Sequence, residues 1–415
     1  MRFGRFGVRF ILLLSMTLLA ACTTPSQVDE SFGSMRKVVE KLGSLREPPA
    51  MQLAEGFALD GRLKPVFFDA LPWKGTPTKV FAWIGLPEGA SQEKPVPGIV
   101  LVHGGGGTAF KEWVQEWNAR GFAAISIAVE GQTDIKPVGD PDPEIHWQRH
   151  ANGGPARKAI YGDSSSKLED QWMYHAVAEA ILANSLLRSL PEVDAANVGI
   201  MGVSWGGVIT STVIGIDRRF AFAIPTYGCG GLHMAANQYG QALSQNETYK
   251  NVWDPNIRLK KATMPVLWFS WPGDDHFPMD CVEASRAKVS GISVGALVPE
   301  MQHGHEPAWE RPESYAFAKS IVKNGKPWCV PVSTEIKEQH LIAFFETTQP
   351  LDLAMLFSSS DTGLTSERKW IQTTAALTHV GNKWVATALI PLGSTAFFLN
   401  VGSGNLVMSS RYLEH

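Results

Sequence analysis

Cysteine is scarce in this sequence, with four residues among 415. No two of them stand in a C-x-x-C pair, so the usual zinc-ligand spacing is missing and no metal site is expected. His303-Gly304-His305 looks like a metal motif only superficially. A surplus of one charge is also lacking: 37 Lys plus Arg face 40 Asp plus Glu, a net charge of −3. That excludes the strongly basic surface that nucleic-acid binding requires. Heptads, low-complexity tracts and repeats of about 20–50 residues are absent, which excludes coiled coils, solenoids and propellers. What remains is an ordinary globular composition, 44% hydrophobic and 19% charged. The chain is long enough for roughly two domains with a sizeable core.

Long apolar runs are missing too. Phe10 to Ala21 is a run of about a dozen residues, too short to span a bilayer with margin. It follows Arg2, Arg5 and Arg9 and ends in Leu19-Ala20-Ala21-Cys22. A basic start, a short apolar stretch and small residues before a break make an export leader. With a cysteine in the last position, the segment resembles the lipobox of bacterial lipoproteins. That resemblance implies a signal over residues 1–22, acylation of Cys22, and a chain exported and held at the bacterial envelope by lipid alone. Residues 23–65 then read as a short tether followed by a helix over Ser31 to Leu45, where Phe32, Met35, Val38, Val39 and Leu42 share a face. The other three cysteines are Cys229, Cys281 and Cys329. Export permits disulfides, an odd number leaves at least one thiol free, and Cys281 with Cys329 is the candidate pair.

Residues 66–326 alternate between apolar runs and helical periods. Val80–Ile84, Pro97–Val102, Phe122–Val129, Asn197–Gly202, Phe220–Pro225, Pro265–Ser270 and Gly295–Val298 read as strands. Trp113–Arg120, Gln171–Leu190, Val208–Ile214 and Pro312–Lys323 read as helices. Near-continuous apolar strands separated by helices imply a parallel sheet buried on both faces. Residues 131–170 break the rhythm, being rich in Gly, Pro, Asp and Lys, and read as a cap over a site. Residues 331–415 are β-rich with polar turns and no long helix, which predicts a small β-sandwich.

The chemistry gathers at the ends of these strands. Gly202-Val203-Ser204-Trp205-Gly206 is a G-x-S-x-G motif between a predicted strand and a predicted helix. Glycines permit the sharp turn that lifts a serine hydroxyl above the sheet, and the helix start offers the Trp205 N–H to a developing oxyanion. His103-Gly104-Gly105-Gly106-Gly107 ends an earlier strand, where the second oxyanion donor belongs, with Gly105 and Gly106 as candidates. No G-x-x-x-x-G-K-[ST] follows, so it is not a phosphate loop. His103 itself reads as structural. A serine needs a base, and the base an orienting acid. The loop after strand Pro265–Ser270 offers Asp274 and Asp275, and the segment after the last strand offers His303 and His305.

Together HGGGGTAFKEW, DQWMYHAVAEAILANSLLRSLPEVD, GVSWGG, AIPTYGCGG and PGDDHFPMD resemble the acetylxylan-esterase and dienelactone-hydrolase-like group of α/β-hydrolases. The resemblance covers roughly Val66 to Lys323. It implies the α/β-hydrolase fold, a mostly parallel sheet flanked by helices, and a Ser-Asp-His esterase without cofactor. Asp274 stands four residues before Pro278 as the acid does in such esterases, although Trp271 replaces an expected glycine. Gly304-His305-Glu306 matches the family's stretch around the base, which favours His305. The C-terminal segment resembles the small Ig-like domain appended to some of these hydrolases. The implied reaction is hydrolysis of short acyl esters, acetyl above all, on carbohydrate, with a peptidase or lactone hydrolase on the same triad, or a non-catalytic binding lipoprotein, as alternatives. The bulk of Trp205 suits a small acyl group, and His146, Trp147 and Tyr161 in the cap are candidate substrate contacts. The fourteen tryptophans suit sugar stacking, but most of them should be packing residues.

Overall fold

The computed structural model describes Met1 and residues 25–139 and 146–414. Cys22 and its leader lie outside the described residues. The first described element is helix α1 (Pro25–Lys41). Three antiparallel strands follow, β1 (Met51–Leu53), β2 (Leu63–Trp73) and β3 (Thr76–Gly85). The main sheet continues through β4 (Val96–Val102), β5 (Ala123–Ile127), β6 (Val193–Val203), β7 (Ala223–Thr226), β8 (Val266–Ser270) and β9 (Ser293–Leu297). These six pair in parallel in the order β5-β4-β6-β7-β8-β9, with β3 joined antiparallel to β5. Helices α2 (Lys111–Asn118), α3 (Trp172–Ser189), α4 (Trp205–Val213), α5 (Gln238–Leu243), α6 (Met279–Arg286), α7 (His305–Glu310) and α8 (Pro312–Asn324) complete this α/β-hydrolase layer.

The strand order reverses direction at β4, with β5 on one side and β6 on the other. A crevice opens at such a switch point, beyond the carboxyl ends of the strands. Both glycine-rich motifs sit there, one after β4 and one after β6. Strand composition explains the layer: β5 and β8 are buried at every position, as strands covered on both faces must be. Helix α3 is apolar nearly all round rather than along one stripe, and it is correspondingly buried from Trp172 to Leu187 with the exception of Tyr174.

The C-terminal strands form two antiparallel sheets. One holds β10 (Cys329–Lys337), β11 (His340–Thr347), β14 (Ala376–Val380) and β15 (Lys383–Leu389). The other holds β12 (Leu353–Ser359), β13 (Ile371–Thr374), β16 (Ala396–Ser403), β17 (Leu406–Ser409) and β18 (Leu413–Glu414). This second sheet is not detached from the hydrolase layer. Ser409 of β17 pairs with Gly295 of β9, so the main sheet runs on through it to fourteen strands among the described residues. The Asn400 side-chain amide donates to the Leu297 carbonyl, and Arg286 donates to the Ser410 carbonyl. These buried bonds close an edge that a free-standing β9 would expose.

Cys229, Cys281 and Cys329 are all buried free thiols. The expected Cys281–Cys329 bridge is therefore corrected. Cys281 lies in α6 with its sulfur 3.7 Å from the Gly231 carbonyl, whereas Cys329 opens β10.

One buried acid sets a pH dependence. Glu179, in the middle of α3, is 3% exposed, and its Oε2 has no hydrogen-bond partner. Burial pushes its pKa up to about 8, with Arg149 opposing the shift. A carboxyl that stays protonated in the fold but ionises in the unfolded chain stabilises the fold less and less as pH rises from about 4.5 toward 8. Glu179→Gln removes that linkage. Denaturant melts should show the variant close to wild type near pH 4.5 and more stable by about 2 kcal/mol or more at pH 8. A parallel pH dependence in the two proteins would contradict the assignment.

Candidate active site

Ser204 stands at the turn from β6 into α4 with φ 58° and ψ −117°, a conformation that side chains seldom adopt. The turn is tight enough that a β-carbon at Gly202 would lie 2.0 Å from the Gly206 carbonyl oxygen. Backbone bonds hold it: Ser204 N–H donates to the Thr226 carbonyl at 2.9 Å, and Val208 N–H donates to the Ser204 carbonyl at 3.0 Å. Trp205 is the first residue of α4, so its N–H has no partner within the helix.

The Ser204 hydroxyl is hydrogen-bonded to Nε2 of His303 at 3.0 Å, and Nδ1 of His303 to Oδ2 of Asp274 at 2.9 Å. Asp274 is buried, and its Oδ1 accepts the backbone N–H groups of His276 and Phe277, each at 2.9 Å. These bonds leave the carboxylate a single orientation. The His303 ring is packed against Tyr227 at 4.6 Å and His276 at 4.8 Å. Tyr227 also donates its hydroxyl to the Gln302 carbonyl at 2.6 Å, pinning the loop that carries the imidazole. Asp275 points away and is exposed beside His276.

The structure thus corrects the expectation that favoured His305. Positive φ at Glu300 (60°) and Gln302 (63°) turns the loop so that His303 faces the serine. His305 instead begins α7, where its Nε2 accepts the Gly104 N–H at 2.8 Å and its ring lies 4.9 Å from Phe110. Accepting a backbone N–H fixes Nδ1 as the protonated nitrogen, and burial pulls the pKa down to about 3. His305 is a neutral acceptor, unable to serve Ser204 from that position.

His103 holds the other side of the same residue. Its Nε2 accepts the Val129 N–H at 3.0 Å, so its Nδ1–H donates to the Gly104 carbonyl at 2.7 Å. Burial lowers its pKa to about 4. Gly104 is therefore clamped between two neutral imidazoles. Only glycine fits, because a β-carbon would come within 2.8 Å of Ser204 Cβ. The Gln132 side chain adds a bond from its amide to the Gly107 carbonyl at 3.0 Å. The clamp occupies the Gly104 N–H, which leaves the amides of Gly105 and Gly106 as this loop's candidate oxyanion donors.

Gln132, Pro137, His146, Trp147, Arg149 and Arg157 line a cleft of about 800 Å³ beside this loop, together with Gly106, Gly107 and Glu130. Trp147 donates its indole N–H to the Gly106 carbonyl at 2.9 Å, and the His146 ring lies over Gly106. Tyr161, expected at the substrate, is instead buried between Trp205 and Tyr249, at 5.5 and 4.9 Å. Arg157 and Glu130, paired at 3.3 Å in the cleft, were not singled out from the sequence, because nothing in an aperiodic loop marks them. Among the described residues, Asp274, His276 and His303 are close enough to hold a metal, with ligand atoms within 4.8 Å of one another. The same Asp274 and His303 atoms are already engaged in the hydrogen bonds above, which a metal would have to displace.

Residues 64–231 match the family model described as acetyl xylan esterase (AXE1). The uncharacterized peptidase YuxL of Bacillus subtilis (strain 168) is 29% identical over 220 residues, which make up 49% of this chain and 30% of that protein. The chain thus spans about a third of the length of this curated relative. Among solved structures, the acetyl xylan esterase from Paenibacillus sp. R4 superposes with a TM-score of 0.52 at 19% identity, covering 72% of this chain and 99% of that one. Acetyl xylan esterase 1 from Thermoanaerobacterium sp. JW/SL YS485 does so with a TM-score of 0.50 at 17% identity, covering 69% and 94%. At such identities the superpositions speak for the fold. The chain has the α/β-hydrolase fold, and its residues 64–231 match the family model described as acetyl xylan esterase.

Proposed function

We propose that this chain is a serine carboxylesterase that removes short acyl groups, acetyl above all, from carbohydrate esters. The observation that carries the proposal is the hydrogen-bonded line Ser204–His303–Asp274. In this reading His303 takes the Ser204 proton as the hydroxyl oxygen attacks the ester carbonyl. Asp274 fixes the tautomer and stabilises the imidazolium that forms. The N–H groups of Trp205 and of Gly105 or Gly106 receive the oxyanion. His303 then protonates the departing alcohol, and water, activated by the same imidazole, releases the acid from Ser204. Support for a small acyl group comes from the packing behind the nucleophile, where Trp205 is walled in by Tyr161, Trp172 and Tyr239 at 5.5–5.7 Å. Such a rigid aromatic cluster does not open for a long chain.

The acyl preference is tested with p-nitrophenyl esters of increasing length and with acetylated xylooligosaccharides. Rates should fall from acetyl to butyryl to octanoyl, and acetate should be released from the sugar. A preference for octanoyl, or no acetate from any acetylated sugar, would refute the substrate. The match to a protein named as a peptidase favours a second reading, cleavage of peptides on the same triad. Turnover of aminoacyl p-nitroanilides in preference to acetyl esters would decide for it.

We further propose, from the leader alone, that the chain is exported and anchored through lipid on Cys22. Mass spectrometry of the mature N-terminus should find an acylated Cys22. A mature chain that begins elsewhere without lipid would rule out the anchor.

A further inference from the structure

Among the described residues that line the cleft beside the glycine loop, Arg149 and Arg157 are the arginines and Glu130 the carboxylate, and the acyl-transfer steps use none of them. Arg157 donates from Nε to Glu130 at 3.3 Å and from one terminal nitrogen to the Ala159 carbonyl at 2.9 Å. Its other terminal nitrogen has no hydrogen bond among the described residues. That nitrogen lies 3.1 Å from where a β-carbon on Gly105 would stand, and the guanidinium carbon sits 5.1 Å from the centre of the Trp205 ring. The unengaged end of Arg157 therefore adjoins the two residues assigned to the oxyanion. Arg149 lines the same cleft, held by the backbone carbonyls of Glu130 and Gly154, with no carboxylate in ion-pair contact among the described residues. Glu130 is the one carboxylate among the described residues of the cleft lining. Burial raises the pKa of Glu179, also near Arg149, to about 8. Among the described lining residues, two guanidinium ions thus accompany one carboxylate.

We infer that this cleft selects esters whose alcohol carries a carboxylate, as an acetylated uronic acid does, with Arg157 as the residue that grips it. The inference rests on the esterase reading above and narrows its substrate class. Arg157 suits the task because its guanidinium is always charged and is already oriented by Glu130 and Ala159, so little freedom is lost when a further donor is used. A neutral sugar would leave that donor desolvated and unpaired, which disfavours it. Arg149 adds a second positive charge to the same space, and its effect is longer in range and screened by salt.

The test compares O-acetylated galacturonic acid with its methyl ester, which keeps the ring and the acetyl group but loses the charge. In the full chain, kcat/KM should favour the free acid by roughly tenfold or more, the range of a hydrogen bond to a charged group. The preference should shrink as ionic strength rises. In Arg157→Gln the ratio should collapse to near one. Equal rates or a preference for the methyl ester in the wild-type protein would overturn the inference, as would a preference that survives Arg157→Gln. The wild-type ratio and its salt dependence need no variant, so a misfolded Arg157→Gln does not protect the claim. Cleavage of p-nitrophenyl acetate runs alongside. If that ester is cleaved and the acid is not preferred, the inference alone fails. If no ester is cleaved, the esterase reading fails with it.

Discussion

Ser204→Ala is expected to lower turnover of a short acyl ester by on the order of a million-fold while leaving the fold intact. The two halves of that expectation have separate causes. The hydroxyl makes its hydrogen bond to His303, so its loss removes the nucleophile and nothing that the neighbouring elements rest on. The structural duties of the residue are carried by its backbone, through the bonds to Thr226 and Val208. Alanine meets the same positive φ that serine already tolerates, so the turn gains no new strain. Circular dichroism and the unfolding midpoint should match wild type. Near-wild-type rates from a folded Ser204→Ala protein would remove Ser204 from the chemistry.

The second large effect separates the two histidines that stand two residues apart. His303→Ala should cost nearly as much as loss of the serine, because members of one triad act as a unit. His305→Ala should cost roughly a hundred- to a thousand-fold, the scale of one misplaced oxyanion donor. It frees the buried Gly104 N–H and with it the register of Gly105 and Gly106. That loss should come with a stability loss of about 1–3 kcal/mol, the cost of an unpaired buried amide. Asp274→Asn should cost roughly ten-thousand-fold, since it can no longer hold the imidazole in its working tautomer. Asp275→Asn touches only an exposed partner and should change rates by less than a few-fold. Steady-state rates of the four variants on one acetyl ester check the ranking. A His305→Ala protein more damaged than His303→Ala would reverse the assignment.

The residues that were readable in advance are those whose chemistry is local. The glycines around Ser204 encode a turn by themselves, and the apolar runs that became β4 and β8 encode burial on both faces. The distance from Pro278 favours Asp274, whose Oδ1 accepts the N–H groups of His276 and Phe277 in that loop. The choice between His303 and His305 was not local. It depends on left-handed backbone at Glu300 and Gln302 and on Tyr227, just past β7, bonding the loop. Neither residue advertises such a conformation.

Strand β2 was missed because Pro65 and Pro72 interrupt it and its burial alternates only in part. Strand β13 shows no apolar period, because all four of its positions are exposed. The joining of the C-terminal sheet to β9 rests on one backbone pair and a few side-chain bonds, a contact that no periodicity records.

The central claim, a serine nucleophile at position 204 activated by His303, is tested most directly by trapping it. A fluorophosphonate transfers its phosphonyl group to an activated serine oxygen, with loss of fluoride and of the hydroxyl proton. Peptide mass spectrometry of the labelled protein should find one adduct per chain, on Ser204. Labelling should vanish in Ser204→Ala, fall close to background in His303→Ala, and persist in His305→Ala. Absence of an adduct from an active protein, an adduct on a different residue that parallels inactivation, or full labelling of His303→Ala would contradict the account.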